Sequence, residues 1–145
     1  MSSAQQSFNV AMLGCGVVGS EVARLLLADD GDFAARSGAK LNLTRIAVRD
    51  SKAGRERIPK ELLTQDAESV VSDPLVDIVI EVMGGIEPAR TLILKAISNG
   101  KSIITANSHL SAKALIDELM NQVDVWLEGK HNPDDITIVI IKHNK

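Results

Sequence analysis

Apolar positions change their period repeatedly along the chain, short continuous runs giving way to spacings of three and four and then returning. Phe8 to Leu13 is nearly all apolar, the pattern of a strand buried on both faces. Within Ser20 to Ala28, the residues Val22, Leu25 and Leu26 fall on one face of a helix. Asp29 to Lys40 is polar and contains glycine, which predicts a helix extension and loop, and Leu41 to Val48 alternates as a second strand. Ser51 to Pro59 is a charged connection. It is followed by a short extended piece at Leu62 to Thr64, a helical turn at Ala67 to Val71, and a break at Asp73-Pro74. Asp77 to Val82 reads as another buried strand. Pro88 suits the first turn of a helix reaching about Ser98, Asn99-Gly100 ends that helix, and Ser102 to Thr105 is the next strand. Leu115, Leu119, Val123 and Trp126 mark Ser111 to Glu128 as a helix, Asn132-Pro133-Asp134 supplies a turn, and Ile136 to Ile141 predicts a last strand.

Strand and helix therefore alternate throughout. Counting the short piece at Leu62 to Thr64, this predicts an α/β protein with a Rossmann-like, doubly wound parallel sheet of six strands in the order 3-2-1-4-5-6. A ligand belongs outside the carboxyl ends of the strands, where the order switches between the first and fourth. The length of 145 residues is one domain by the usual range of about 100–200 residues each, so the whole chain is read as a single domain.

Charge and composition narrow the partners. With 45% hydrophobic residues and a net charge of −3, the chain can fill a core and has no basic excess of the kind that nucleic acid or an anionic membrane selects. Met1 to Ser7 is polar, and no apolar run approaches the ~20 residues that span a bilayer. A cytoplasmic protein, binding neither membrane nor nucleic acid and existing as a monomer or homodimer, is the expectation. His109, His131 and His143 lie among polar neighbours without metal-ligand spacing, and no metal is expected.

Chemistry enters at Val10 to Gly19, where a G-x-G-x-x-G turn follows an apolar strand and opens a helical pattern. Gly14 suits the tight turn, Gly16 admits a pyrophosphate close to the backbone, and Gly19 lets helix and strand pack closely. The N–H groups and dipole of the helix start favour phosphate. Cys15, the single cysteine, occupies a variable position of the turn and is read as a packing residue. Cofactor choice is written after the second strand, where an acid takes the ribose hydroxyls of NAD or an arginine takes the 2′-phosphate of NADP. Arg49, with Lys52, Arg55 and Arg57 nearby, favours NADP, while Asp50 keeps NAD open.

Leu13 to Gly19, Ala47-Val48-Arg49-Asp50, Glu81 to Arg90 (Glu-Val-Met-Gly-Gly-Ile-Glu-Pro-Ala-Arg) and Thr105-Ala106-Asn107 follow one another in a way that resembles the homoserine dehydrogenases over about residues 8–107. That resemblance implies the nucleotide-binding part of a cytoplasmic, typically dimeric NAD(P)-dependent oxidoreductase of amino-acid biosynthesis. It implies that Gly14, Gly16, Val17, Val18 and Gly19 hold the pyrophosphate and that Arg49 meets the adenosine ribose or its phosphate. Met83, Gly84, Gly85, Thr105, Ala106 and Asn107 would lie near the nicotinamide half. Glu87 and Arg90 read instead as a helix-start acid and a solvent-facing base. The family has a lysine after Thr-Ala-Asn, whereas this chain has Ser108, and the family's substrate-binding region has no counterpart here. Hydride transfer depends on positioning substrate against nicotinamide, so the expectation is cofactor binding without turnover.

From about Ser111 onward, with Trp126 and the run Asn132 to Lys142, the tail resembles the closing helix and strand of bacterial metal-dependent serine/threonine phosphatases. In that family an acid at the position of Asp134 or Asp135 helps to bind a metal, yet the remaining acids needed to surround a divalent cation are absent. The two resemblances together imply a join near Asn107 and Ser108, hence an engineered chimera or a divergent truncated dehydrogenase. The alternative to a cofactor-binding domain is a Rossmann-fold scaffold with no ligand or activity.

Overall fold

A computed structural model describes residues 6–28, 31–50, 56–107 and 138–140. Its elements run β1 (Gln6–Leu13), α1 (Val17–Leu27), α2 (Asp32–Ser37), β2 (Ala39–Ala47), a 3₁₀ turn (Lys60–Leu62), β3 (Leu63–Thr64), α3 (Ala67–Ser72), β4 (Ile78–Glu81), α4 (Ala89–Ser98), β5 (Ser102–Thr105) and β6 (Ile138–Ile140). All strand pairs are parallel, and the sheet order is β3-β2-β1-β4-β5-β6. This is the doubly wound order expected from the alternation of apolar patterns. The expected helix over 111–128, the turn at Asn132-Pro133-Asp134, Lys52, Arg55, Ser108 and the three histidines lie outside the described residues.

β1 lies inside the sheet between β2 and β4, and its second half, Val10, Ala11, Met12 and Leu13, is fully buried. Its side chains alternate between two layers. Ala11 and Leu13 join Val79, Ile103 and the α3/α4 residues Val70, Val71, Leu92, Ile93, Ala96 and Ile97. Val10 and Met12 pack on the opposite face with Ala23 of α1, Ile46, Ile58, Ile80 and Cys15. The β1–β2 register shifts between Val10 and Ala11. There Thr44, the extra residue, donates its hydroxyl to the Val10 carbonyl at 3.2 Å, so the bulge leaves that acceptor satisfied.

Three local differences from the sequence reading have physical causes. α1 begins at Val17 rather than Ser20; of its expected apolar face, Val22 and Leu26 pack partly buried against the sheet beside the buried Gly19 and Ala23, whereas Leu25 is 60% exposed. Helix and sheet approach so closely here that small residues take the innermost positions. The polar segment after α1 holds a separate short helix, α2, that starts and ends on Gly31 and Gly38 in left-handed conformations. The extended piece at Leu62 to Thr64 is divided into a 3₁₀ turn and the two-residue β3.

At the amino end of the sheet, Lys101 is 3% exposed. Its Nζ donates to the carbonyls of Val76, at 2.8 Å, and Asp73, tying the turn before β4 to the start of β5. Burial pushes its pKa below the ordinary 10.5, against the opposing pull of Asp73 and Asp77. Because the folded pKa lies below the unfolded one, the unfolded chain binds more protons between those two values, and stability rises with pH across that window. Lys101→Met strands two carbonyls, so it should cost about 1–3 kcal/mol and flatten this alkaline rise. Urea unfolding of both proteins over a pH series up to 10.5 checks both effects.

Candidate functional site

The carboxyl ends of β1, β4 and β5 converge where the strand order reverses, and backbone hydrogen bonds run beyond the ladders to fix the loops there. The Gly14 N–H donates to Ala47 at 2.8 Å, the Val82 N–H to Leu13 at 2.9 Å, and the Ala106 N–H to Glu81 at 3.2 Å. All the residues read from sequence as a binding site lie in these loops or at the ends of their strands. Gly14, Gly16, Val17, Val18 and Gly19 form the turn and first helical turn after β1, Arg49 follows β2, Met83 to Gly85 follow β4, and Thr105 to Asn107 close β5.

The three glycines of the first turn differ in what they are for. Gly14 has φ +98, and a Cβ there would meet the Val82 carbonyl carbon and oxygen at 2.9 Å and Met83 Cα at 3.0 Å. Gly19 would place a Cβ 2.8 Å from the Gly14 oxygen and 3.0 Å from Val82 Cγ2. Both positions are closed by the protein's own packing. Gly16 is exposed with an extended backbone, and nothing lies within 4 Å of a Cβ built on it. The fold itself makes no demand for glycine there. No side-chain hydrogen bond caps α1 at Gly16, so the first-turn N–H groups at Val17 and Val18 face outward with the positive end of the helix dipole. The side chains of Val17 and Val18 are 88% and 58% exposed and flank this turn without covering it.

Across the switch point, Gly84 and Gly85 are exposed and both left-handed, with φ +73 and +78, a conformation open to glycine at little cost. Thr105 and Asn107 are buried and Ala106 is exposed between them. Glu81 joins these two segments and was not among the residues singled out from sequence. It is fully buried, with Oε1 accepting from the Met83 N–H at 2.7 Å and Oε2 from the Thr105 hydroxyl at 2.6 Å. The signal for it was a lone acid ending an apolar strand, since a carboxylate in such a place requires donors. Arg49 is exposed, and its carbonyl accepts from Gln65 Nε2 at 3.1 Å. Glu87 accepts from the Thr91 N–H at 3.3 Å and hydroxyl at 2.8 Å at the start of α4, and stands 3.8 Å from Arg90. Cys15 is packed in the core beneath the turn. Among the described residues there is no cluster of potential metal ligands and no helix long and apolar enough to cross a membrane.

A parallel sheet of this order, with a glycine turn leading into a helix at its switch point, defines a Rossmann-type dinucleotide-binding domain. The family described as homoserine dehydrogenase, NAD binding domain, matches residues 14–126, and the chain belongs to it. Homoserine dehydrogenase of Mycobacterium tuberculosis (strain ATCC 25618 / H37Rv) is 48% identical over 112 residues, which cover 77% of this chain and 25% of that protein. The Bacillus subtilis (strain 168) enzyme is 32% identical over 129 residues, covering 86% of this chain and 30% of its own length. A crystal structure of S. aureus homoserine dehydrogenase superposes with a TM-score of 0.76 at 29% identity, covering 93% of this chain and 33% of that one. The chain thus spans about a quarter of the length of the curated relatives it matches.

These matches correct the reading of the tail. The family match runs to residue 126, through the join expected near Asn107 and Ser108, and the B. subtilis alignment is too long to stop at 107. Neither the phosphatase resemblance nor the chimera it implied finds support. An apolar helix face followed by an apolar strand is the generic closing pattern of a doubly wound sheet, so a short tail of that kind carries little family information.

Proposed function

We propose that these residues form the cofactor-binding part of a homoserine dehydrogenase and hold NADP, with NAD as the weaker ligand. The observation that carries this reading is Gly16, an exposed glycine that the fold does not require, set where a pyrophosphate would approach the start of α1. When bound, the nicotinamide ring accepts or returns the hydride that the name of the relatives implies. The residues of this chain bind and orient it. Gly14 shapes the turn, Gly16 to Gly19 present N–H groups to the pyrophosphate, and Arg49 pairs with the 2′-phosphate of the adenosine ribose. Met83, Gly84, Gly85, Thr105, Ala106 and Asn107 border the nicotinamide half. These 145 residues by themselves are expected to bind cofactor without turning it over, and the oxidation of homoserine belongs to the longer architecture of the relatives.

Titration calorimetry of the chain with NADP⁺ and NAD⁺ tests this directly, and absence of binding to either by the folded protein refutes it. Arg49→Ala should weaken NADP⁺ about tenfold, the loss of one charge-assisted contact of about 1.5 kcal/mol, and leave NAD⁺ within about twofold. Equal losses for both cofactors would remove Arg49 from 2′-phosphate recognition.

A further inference from the structure

Glu81 is the one acid among the fully buried side chains of the described residues, and its carboxylate oxygens accept from a backbone N–H, a hydroxyl and a side-chain amide. Period two along β4 puts it on the same face as Val79, toward α3 and α4, and the β4–β5 register places it opposite Thr105. Oε1 takes the Met83 N–H at 2.7 Å and faces Asn107 Nδ2 at 3.4 Å, while Oε2 takes the Thr105 hydroxyl at 2.6 Å. The Thr105 oxygen in turn accepts from the Asn107 N–H at 3.2 Å, and Asn107 Nδ2 donates to the Gly85 carbonyl at 2.6 Å. No buried side-chain polar atom among the described residues lacks a partner.

We infer that Glu81 is a positioning residue for the nicotinamide half of the cofactor. It sets the spacing between the loop after β4 and the segment after β5 without touching the ligand. The inference rests on the cofactor-binding reading above. Gly84 and Gly85 allow their loop many conformations, and Asn107 fixes that loop only while Asn107 is itself held. Glu81 supplies that restraint through Thr105 and Met83, leaving Gly84, Gly85 and Ala106 as the exposed surface. Core packing alone would be served at lower cost by an apolar side chain, since a buried carboxylate must recover its lost hydration through such bonds.

The test compares two probes that differ only in the nicotinamide, NADP⁺ and 2′-phospho-ADP-ribose, by calorimetry on wild type, Glu81→Gln and Thr105→Val. In wild type NADP⁺ should bind more tightly of the two. In each variant NADP⁺ should weaken about tenfold while 2′-phospho-ADP-ribose stays within about twofold. Because both probes share the adenosine and pyrophosphate, a general loss of structure would weaken them together, and that result overturns the inference. So does an unchanged NADP⁺ affinity in the variants, or a wild type that binds the two probes equally. If Glu81→Gln does not fold, Glu81→Met, which keeps the length of the side chain without its acceptors, carries the test. A wild type that binds neither probe overturns the cofactor reading itself, and this inference with it.

Discussion

Gly14→Ala should lower the free energy of unfolding by about 2–6 kcal/mol, the sum of about 1–3 for an L-residue in that backbone region and about 1–3 for overpacking. The positive φ of +98 and the approach to 2.9 Å of the Val82 carbonyl act together, and neither can relax alone. Turning the backbone to a negative φ would break the 2.8 Å bond from the Gly14 N–H to Ala47. Moving β4 away would open the 2.9 Å bond from Val82 to Leu13 and the core cluster of Leu13, Val79 and Ile93 beneath it. Against a total stability of about 5–15 kcal/mol for a domain, such a loss brings the chain close to unfolding. Urea titration followed by far-UV circular dichroism measures it, with Gly16→Ala as the control expected to stay within about 0.5 kcal/mol. Equal midpoints for Gly14→Ala and Gly16→Ala would show that the turn relaxes in a way this geometry does not allow.

The order of elements was legible because both faces of a parallel sheet are covered, so its inner strands carry apolar runs such as Val10 to Leu13 and Ile78 to Ile80, while its helices are amphipathic. That is how the segments around Ile78 to Glu81 and Ser102 to Thr105 announce themselves as strands from composition alone. What sequence patterning read only in part is the inner face of α1. It finds Val22 and Leu26, which pack against the core, but misses the buried Gly19 and Ala23 beside them and includes Leu25, which stays exposed. Closeness of approach is a property of two elements together, and one helix read by itself does not contain it. The same holds at the site. The glycine turn and Arg49 are local signals, each legible within a few residues of chain. Glu81 gains its meaning from Thr105 and Asn107, 24 and 26 residues away, and only the β4–β5 pairing brings their hydroxyl and amide to its carboxylate. A charge at the end of an apolar strand was visible, but the donors that justify it were not.

Gly16→Asp should leave the fold intact and weaken NADP⁺ and NAD⁺ by about 100-fold or more, equivalent to at least about 2.7 kcal/mol. Nothing lies within 4 Å of a Cβ at this position and the backbone is extended, so the protein accommodates the side chain without strain. The ligand does not, for two reasons. The added atoms occupy the path by which a pyrophosphate reaches the start of α1, and their charge repels it by about 4 kcal/mol per unit charge at 4 Å near a protein surface. Gly16→Ala separates the two contributions, since it has the bulk of a methyl group without the charge and should cost about tenfold. Thermal unfolding gives an independent reading. Cofactor at about 100 times its wild-type dissociation constant stabilises the native state by about 2.7 kcal/mol, so wild type should melt several degrees higher with NADP⁺, while Gly16→Asp at the same concentration gains at most about 0.4 kcal/mol and shifts far less. An Asp variant that binds as tightly as wild type would place the pyrophosphate elsewhere and leave the exposed glycine without a function. Loss of binding together with loss of folding would instead show that Gly16, like Gly14 and Gly19, serves the fold.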